Sequence, residues 1–134
     1  MNYGYSKNLS LPFPEAVERV RAELANEGFG VITEIDVKET LKKKLGIDYD
    51  AYIILGACNP PLAYQALQLE KEIGLLLPCN VIVYENRGKV VISSIIPTAT
   101  MSRIANPSFL AIAIQVEQKL KKVIDAVGNT EKGN

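Results

Sequence analysis

Three sulfur side chains, Cys58, Cys79 and Met101, stand in a chain that has no histidine. Thiolates and thioethers are soft donors, and without imidazole they favour Cu(I) or another soft ion. Two thiols can also form a redox pair. Asn59-Pro60-Pro61 follows Cys58 directly. Asparagine there is a helix cap and the prolines suit a first helical turn. A helix N-terminus offers unpaired N–H groups and partial positive charge, which attract anions and lower the pKa of a nearby thiol. The candidate ligand-binding residues are therefore Cys58, Asn59, Pro60 and Cys79. The candidate soft-metal set is Cys58, Cys79 and Met101. No catalytic residue stands out. Each candidate also has a plainer account: cysteine packs as a small hydrophobe, Asn-Pro-Pro stops a strand and caps a helix, and methionine fills gaps. Cys-x-x-Cys spacing is absent.

These groups meet only if the strands carrying them run in the right directions. Tyr3 to Ser10 alternates in part and reads as a strand closed by Pro12 and Pro14. Ala16, Val17, Val20 and Leu24 then fall at helical spacing, with Gly28 as the stop. Phe29 to Val37 reads as a strand, and Lys38 to Leu45 as a short helix or turn ended by Gly46. Ala51 to Ala57 is a nearly continuous apolar run, expected to be a central strand. A helix from Asn59 carries Leu62, Ala66, Leu69 and Ile73 on one stripe and ends at Gly74. Val81 to Glu85 and Lys89 to Ile96 flank Asn86-Arg87-Gly88, a hairpin connection. A loop from Thr98 to Asn106 leads to the longest helix, capped by Asn106, with Lys119, Lys121 and Lys122 expected to complement its C-terminal dipole.

The expected order is β-α-β-β-(α)-β-β-α. A tight hairpin cannot make a parallel crossover, so the fold class is α+β, a largely antiparallel sheet with helices packed on one face. If the Ala57 and Cys79 strands are antiparallel neighbours, Cys58 and Cys79 share one rim of the sheet. The hairpin strand returns to that rim and delivers Met101.

Composition narrows the function classes. The chain has 134 residues, enough for one domain. Lys+Arg and Asp+Glu both number 15, so the net charge is zero. Zero balance argues against nucleic-acid binding, which needs a basic surface. Without histidine no Ser-His-Asp or Cys-His site can be built within one chain. No run approaches the length of a membrane span, and the first residues lack a secretory pattern. The expectation is a cytoplasmic protein with no membrane partner. Other groupings have bland readings. Glu34 and Asp36 form an acid pair or a solvated strand face. Lys42-Lys43-Lys44 reads as a solvated surface. Gly56 marks a close approach or tight packing, and Tyr52, Tyr64 and Tyr84 are pocket or core residues.

Leu55-Gly56-Ala57-Cys58-Asn59-Pro60-Pro61-Leu62-Ala63 and Gly74-Leu75-Leu76-Leu77-Pro78-Cys79-Asn80-Val81 resemble the bacterial and archaeal domain-of-unknown-function family 302 (DUF302). Gly28 to Val37 and Leu41 to Gly46 add to the resemblance, which spans Tyr3 to Val127. It implies a β-α-β4-α fold of the TATA-binding-protein-like type and a homodimer, with no DNA binding, since fold does not carry function. By position it matches Cys58, Cys79 and Met101 to the family's sulfur positions. Ile96 departs from the acidic residue expected before Pro97. The expected organisation is one domain over residues 1–127 and a frayed tail over 128–134.

Three functions compete. The first is a module binding a small ligand or a soft metal such as Cu(I), acting as a homodimer. The second is a protein–protein interaction or assembly domain. The third is a thiol-based redox protein or sensor. An enzyme is the least favoured.

Overall fold

Alternating apolar residues in the strand segments give a sheet with one face for a core. The computed structural model describes residues 2–128. Its elements are β1 (Gly4–Leu9), α1 (Phe13–Asn26), β2 (Gly30–Asp36), α2 (Val37–Leu45), β3 (Tyr52–Cys58), α3 (Pro60–Leu69), a 3-10 helix (Lys71–Leu76), β4 (Cys79–Asn86), β5 (Lys89–Ile95), α4 (Pro97–Thr100) and α5 (Pro107–Ala126). The strands form one sheet in the order β1-β5-β4-β3-β2, and every neighbouring pair is antiparallel. This is the expected α+β class, a β-α-β4-α frame with short helices added in its connections. Arg87 and Gly88 form the two-residue hairpin loop with φ of 54° and 79°, the left-handed pair that matches strand twist.

One sheet face presents Ile53, Leu55 and Ala57 of β3, Val81 and Val83 of β4 and Val90 and Ile92 of β5 to the helices. Val20 and Leu24 of α1 and Leu120, Val123 and Ile124 of α5 close over them. Leu55, Val81, Val83 and Ile92 are fully buried, and burying one such side chain stabilises by about 1.5–3 kcal/mol. A second, smaller cluster joins Leu62, Ala66, Ile73, Met101, Phe109, Ile112 and Ala113. Leu77 and Val116 pack against both clusters.

The ends of α5 are held differently from one another. Asn106 Oδ1 accepts from the backbone N–H of Ser108 at 2.9 Å and Phe109 at 3.2 Å, as its position before Pro107 predicts. The expected lysines do not serve the other end. Lys7 of β1 does, donating to the carbonyls of Asp125 at 2.9 Å and Val127 at 2.6 Å. An in-helix pattern cannot reveal a cation arriving from another strand. Lys121 lies instead over the Tyr5 ring, 5.4 Å from its centroid.

Three further details differ from expectation. The third helix stops at Leu69, and the chain continues as the 3-10 turn with Gly74 inside it. The segment after β5 is not all loop, because Pro97 starts a one-turn helix. Glu34 and Asp36 do not act as a pair: Glu34 forms an ion pair with Arg21 of α1, and Asp36 caps α2 by accepting from Glu39 N at 2.9 Å. Of the expected frayed tail, 129–134 lie outside the described residues, while Gly128 is a buried turn residue.

Candidate functional site

Strand register assembles a rim. Gly30 is opposite Cys58, Ala57 opposite Cys79 and Gly4 opposite Ile95. The end of β3, the start of β4 and the end of β5 therefore share one sheet edge. Pro97 and Met101 emerge there after β5, and α3 begins there after β3. The second apolar cluster sits over this edge, and between it and the sheet lies a cavity of about 290 Å3.

Each wall follows from local sequence. Phe109, Ile112, Ala113 and Val116 line the cavity from α5 at the i, i+3, i+4, i+7 spacing of one helical face. Leu62, Ala63, Ala66 and Leu67 line it from α3. The floor is Ala57, Cys58, Pro78 and Cys79, with Pro97 and Met101 at one side and Ile32 at the other. Ile32 (62 % exposed) and Leu67 (42 %) are the exposed lining residues and mark the mouth. Among the lining residues only Cys58, Asn59 and Cys79 carry a polar side-chain atom, and none is charged.

Four of the five nominated residues, Cys58, Asn59, Cys79 and Met101, line this cavity. Pro60 does not. It is exposed, in the first turn of α3. The polar atoms of Asn59 are engaged: Oδ1 accepts from Leu62 N and Nδ2 donates to the Glu27 carbonyl, both at 3.4 Å. It caps α3 and ties that helix to the α1–β2 turn. Tyr52 and Tyr84, considered as pocket residues, instead stack on each other at 5.2 Å and lie away from the cavity lining. Sequence reasoning assigned none of the other lining residues to a site, among them the small Ala63, Ala66 and Ala113. Their spacing was legible, but nothing in it distinguishes a stripe that touches its neighbour from one that leaves a gap.

The thiols differ. Cys79 is buried and Cys58 is partly accessible. Burial, with a smaller contribution from Cys58, pushes the Cys79 thiol up to about 11, so only about a thousandth of it is thiolate near pH 8. Cys58 is expected to react first with a disulfide reagent at that pH, and Cys79 only after unfolding. Mass-mapping the labelled cysteine checks this, and early labelling of Cys79 would overturn it. Among the described residues no group of three or more His, Cys, Asp or Glu could hold a metal, which leaves the two thiols and Met101 as the soft donors.

The Pro97–Met101 wall is clasped from α5. Glu117 Oε1 accepts from Thr98 N at 3.0 Å and Thr98 Oγ1 at 2.6 Å, and Oε2 meets Lys121 Nζ at 3.2 Å. Burial opposes charge on Glu117, but these hydrogen bonds and the Lys121 charge outweigh it and hold its pKa below the ordinary 4.5. A depressed carboxyl pKa stabilises fully above the unfolded value, and that contribution is lost as pH falls through the folded one. Glu117→Gln is expected to flatten the loss of stability below about pH 4.5. Denaturation midpoints at stepped pH check this, and identical pH slopes in both proteins would overturn it.

No curated protein matches the chain. The chain is similar to the crystal structure of an uncharacterized conserved DUF302 protein from Bacillus stearothermophilus, with a TM-score of 0.88 and 31% identity, covering 95% of this chain and 99% of that one. The model of the family described as "Domain of unknown function DUF302" matches residues 5–127. This match spans both clusters and every wall of the cavity, and the chain belongs to the DUF302 family.

Proposed function

We infer that the chain is a non-catalytic module that binds a small, neutral, apolar molecule in the rim cavity. The observation that carries this reading is the cavity wall: about 290 Å3 of space bounded by apolar side chains, with no charge and with its one amide already hydrogen-bonded. Apolar pockets of this kind accept apolar guests. The volume holds roughly ten water- or methylene-sized groups at about 30 Å3 each. Titration with a small fluorescent apolar probe, naphthalene, tests the reading. Saturable binding of one probe per chain is expected, with a rise in unfolding temperature, since a ligand of the native state alone stabilises it. Absence of saturable binding would overturn it.

The three sulfurs on one cavity support Cu(I) as a second reading. It ranks lower because Cys79 must lose a proton that burial retains. Cu(I) held against a competing chelator, and released by Cys58→Ser, would reverse the ranking. The thiol-redox reading gains no support from a buried, protonated Cys79.

The homodimer belongs to the same proposal, with the outer sheet face as its contact. Ile35, Ile54 and Ile82 are register partners and make an apolar row across β2, β3 and β4, beside the Tyr52–Tyr84 stack. A self-complementary patch of this kind suits a two-fold contact. Ile54→Lys is expected to convert a dimer to a monomer in sedimentation experiments. A wild-type chain that sediments as a monomer at high concentration would overturn it.

A further inference from the structure

Met101 borders more than the main cavity. A second cavity, about 540 Å3, lies under the segment between α4 and α5, lined by Thr98, Ser102, Ile104, Asn106 and Leu110 among others. A third, about 250 Å3, lies beside Leu75, Asn80, Ile95 and Thr100. Met101 is the one residue lining all three. It is only 8 % exposed, and Phe109 and Ala113 line both the main and the second cavity with it.

The backbone around Met101 is fixed. Its N–H donates to the Pro97 carbonyl at 2.8 Å, and its own carbonyl accepts from Ile104 N at 3.1 Å. Glu117 holds Thr98 from α5. An unbranched thioether with three rotatable bonds remains on that fixed base, the side chain best able to vacate a space without moving the main chain. Both cavities are mainly apolar. The second adds Ser102 and the Asn106 amide nitrogen, while Thr98 Oγ1 donates to Glu117 and Asn106 Oδ1 caps α5.

We propose that Met101 is the residue that sets ligand length, and that the ligand is a neutral, single-chain amphiphile. Its tail fills the main cavity and its chain passes Met101, so that its polar end reaches Ser102 and the Asn106 amide nitrogen in the second cavity. This rests on the apolar-ligand reading above. A straight chain satisfies both spaces, because only a narrow segment has to pass between them, and of the three side chains lining both, Met101 is the flexible one beside the Phe109 ring and the small Ala113. A charged head is disfavoured, since among the described residues no ionised side chain lines either cavity.

The test uses the full chain and straight-chain primary alcohols of increasing length, each displacing the fluorescent probe. In the wild type, affinity is expected to rise about fourfold per methylene and then reach a plateau. Met101→Ala is expected to move the plateau to longer chains by several carbons, because it widens the passage between the cavities. Met101→Ile, whose branched side chain is stiff, is expected to move it to shorter chains at similar core volume. Thermal unfolding of each variant identifies those that fold, and either folded variant decides the matter. The same plateau in wild type and variant would overturn the length-setting role while leaving the apolar-ligand reading intact. Failure of the wild type to bind the probe or any alcohol would overturn both.

Discussion

Gly56→Ala is expected to destabilise the protein by about 2–3 kcal/mol, and Gly56→Val by more, the range of overpacked interiors. A Cβ at Gly56 would collide with Thr33 Oγ1 and would stand 2.7 Å from Pro78 Cγ. Thr33 is on β2 and can turn its side chain. Pro78 is a ring at the start of the cavity floor and cannot. Relief therefore requires the Pro78–Cys79 segment to move off β3, and the cavity floor moves with it. Urea denaturation should show the loss, and probe affinity should fall in the same variant. Gly30→Ala is the control, because a Cβ there meets nothing within 4 Å. Adding Thr33→Ala to Gly56→Ala should recover only part of the loss. Equal stability of Gly56→Ala and the wild type would remove Gly56 as the reason Pro78 can pack against the sheet.

The second large effect is on binding. Ala66 and Ala113 are buried cavity-wall residues on α3 and α5. Replacing both by leucine is expected to weaken binding of the apolar probe at least tenfold, about 1.4 kcal/mol. The same change should leave the unfolding midpoint unchanged or raise it. Empty apolar volume costs stability at about 24 cal/mol per Å3, so filling it restores contacts. Opposite signs on stability and binding separate a space kept for a guest from a packing defect. Unchanged probe affinity in a folded Ala66→Leu, Ala113→Leu protein would place the probe elsewhere and sink the cavity assignment.

Chain direction was the part of this architecture most legible in the residues. The Arg87-Gly88 turn forces β4 and β5 antiparallel, and Ala51 to Ala57 reads as an interior strand; the same run reads as covered on both faces, whereas Tyr52 and Ile54 stand on the outer face, which the helices leave uncovered. From these follows the rim on which Cys58, Cys79 and Met101 gather. The interruption at Leu69 was not legible. Leu62, Ala66, Leu69 and Ile73 keep helical spacing through it, and spacing cannot report a change from α-helical to 3-10 winding. The cavity was not legible either, because alanine at a helical stripe position looks the same whether its partner touches it or stands back. Lys7 reaching the end of α5 belongs to the same class of fact: it depends on where β1 lies, which no local pattern encodes. Asn59 shows the reverse, since its cap signal was plain and the hydrogen bonds to Leu62 and Glu27 account for its side chain.

The division of the interior into two clusters joined by Leu77 and Val116 has a dynamic consequence. Separate cooperative units open at separate free energies. The smaller cluster, made from α3, the 3-10 turn, the α4 region and the first half of α5, can breathe while the sheet keeps its hydrogen-bonded ladder. On the apolar-ligand reading, such loosening would widen the mouth at Ile32 and Leu67 without global unfolding.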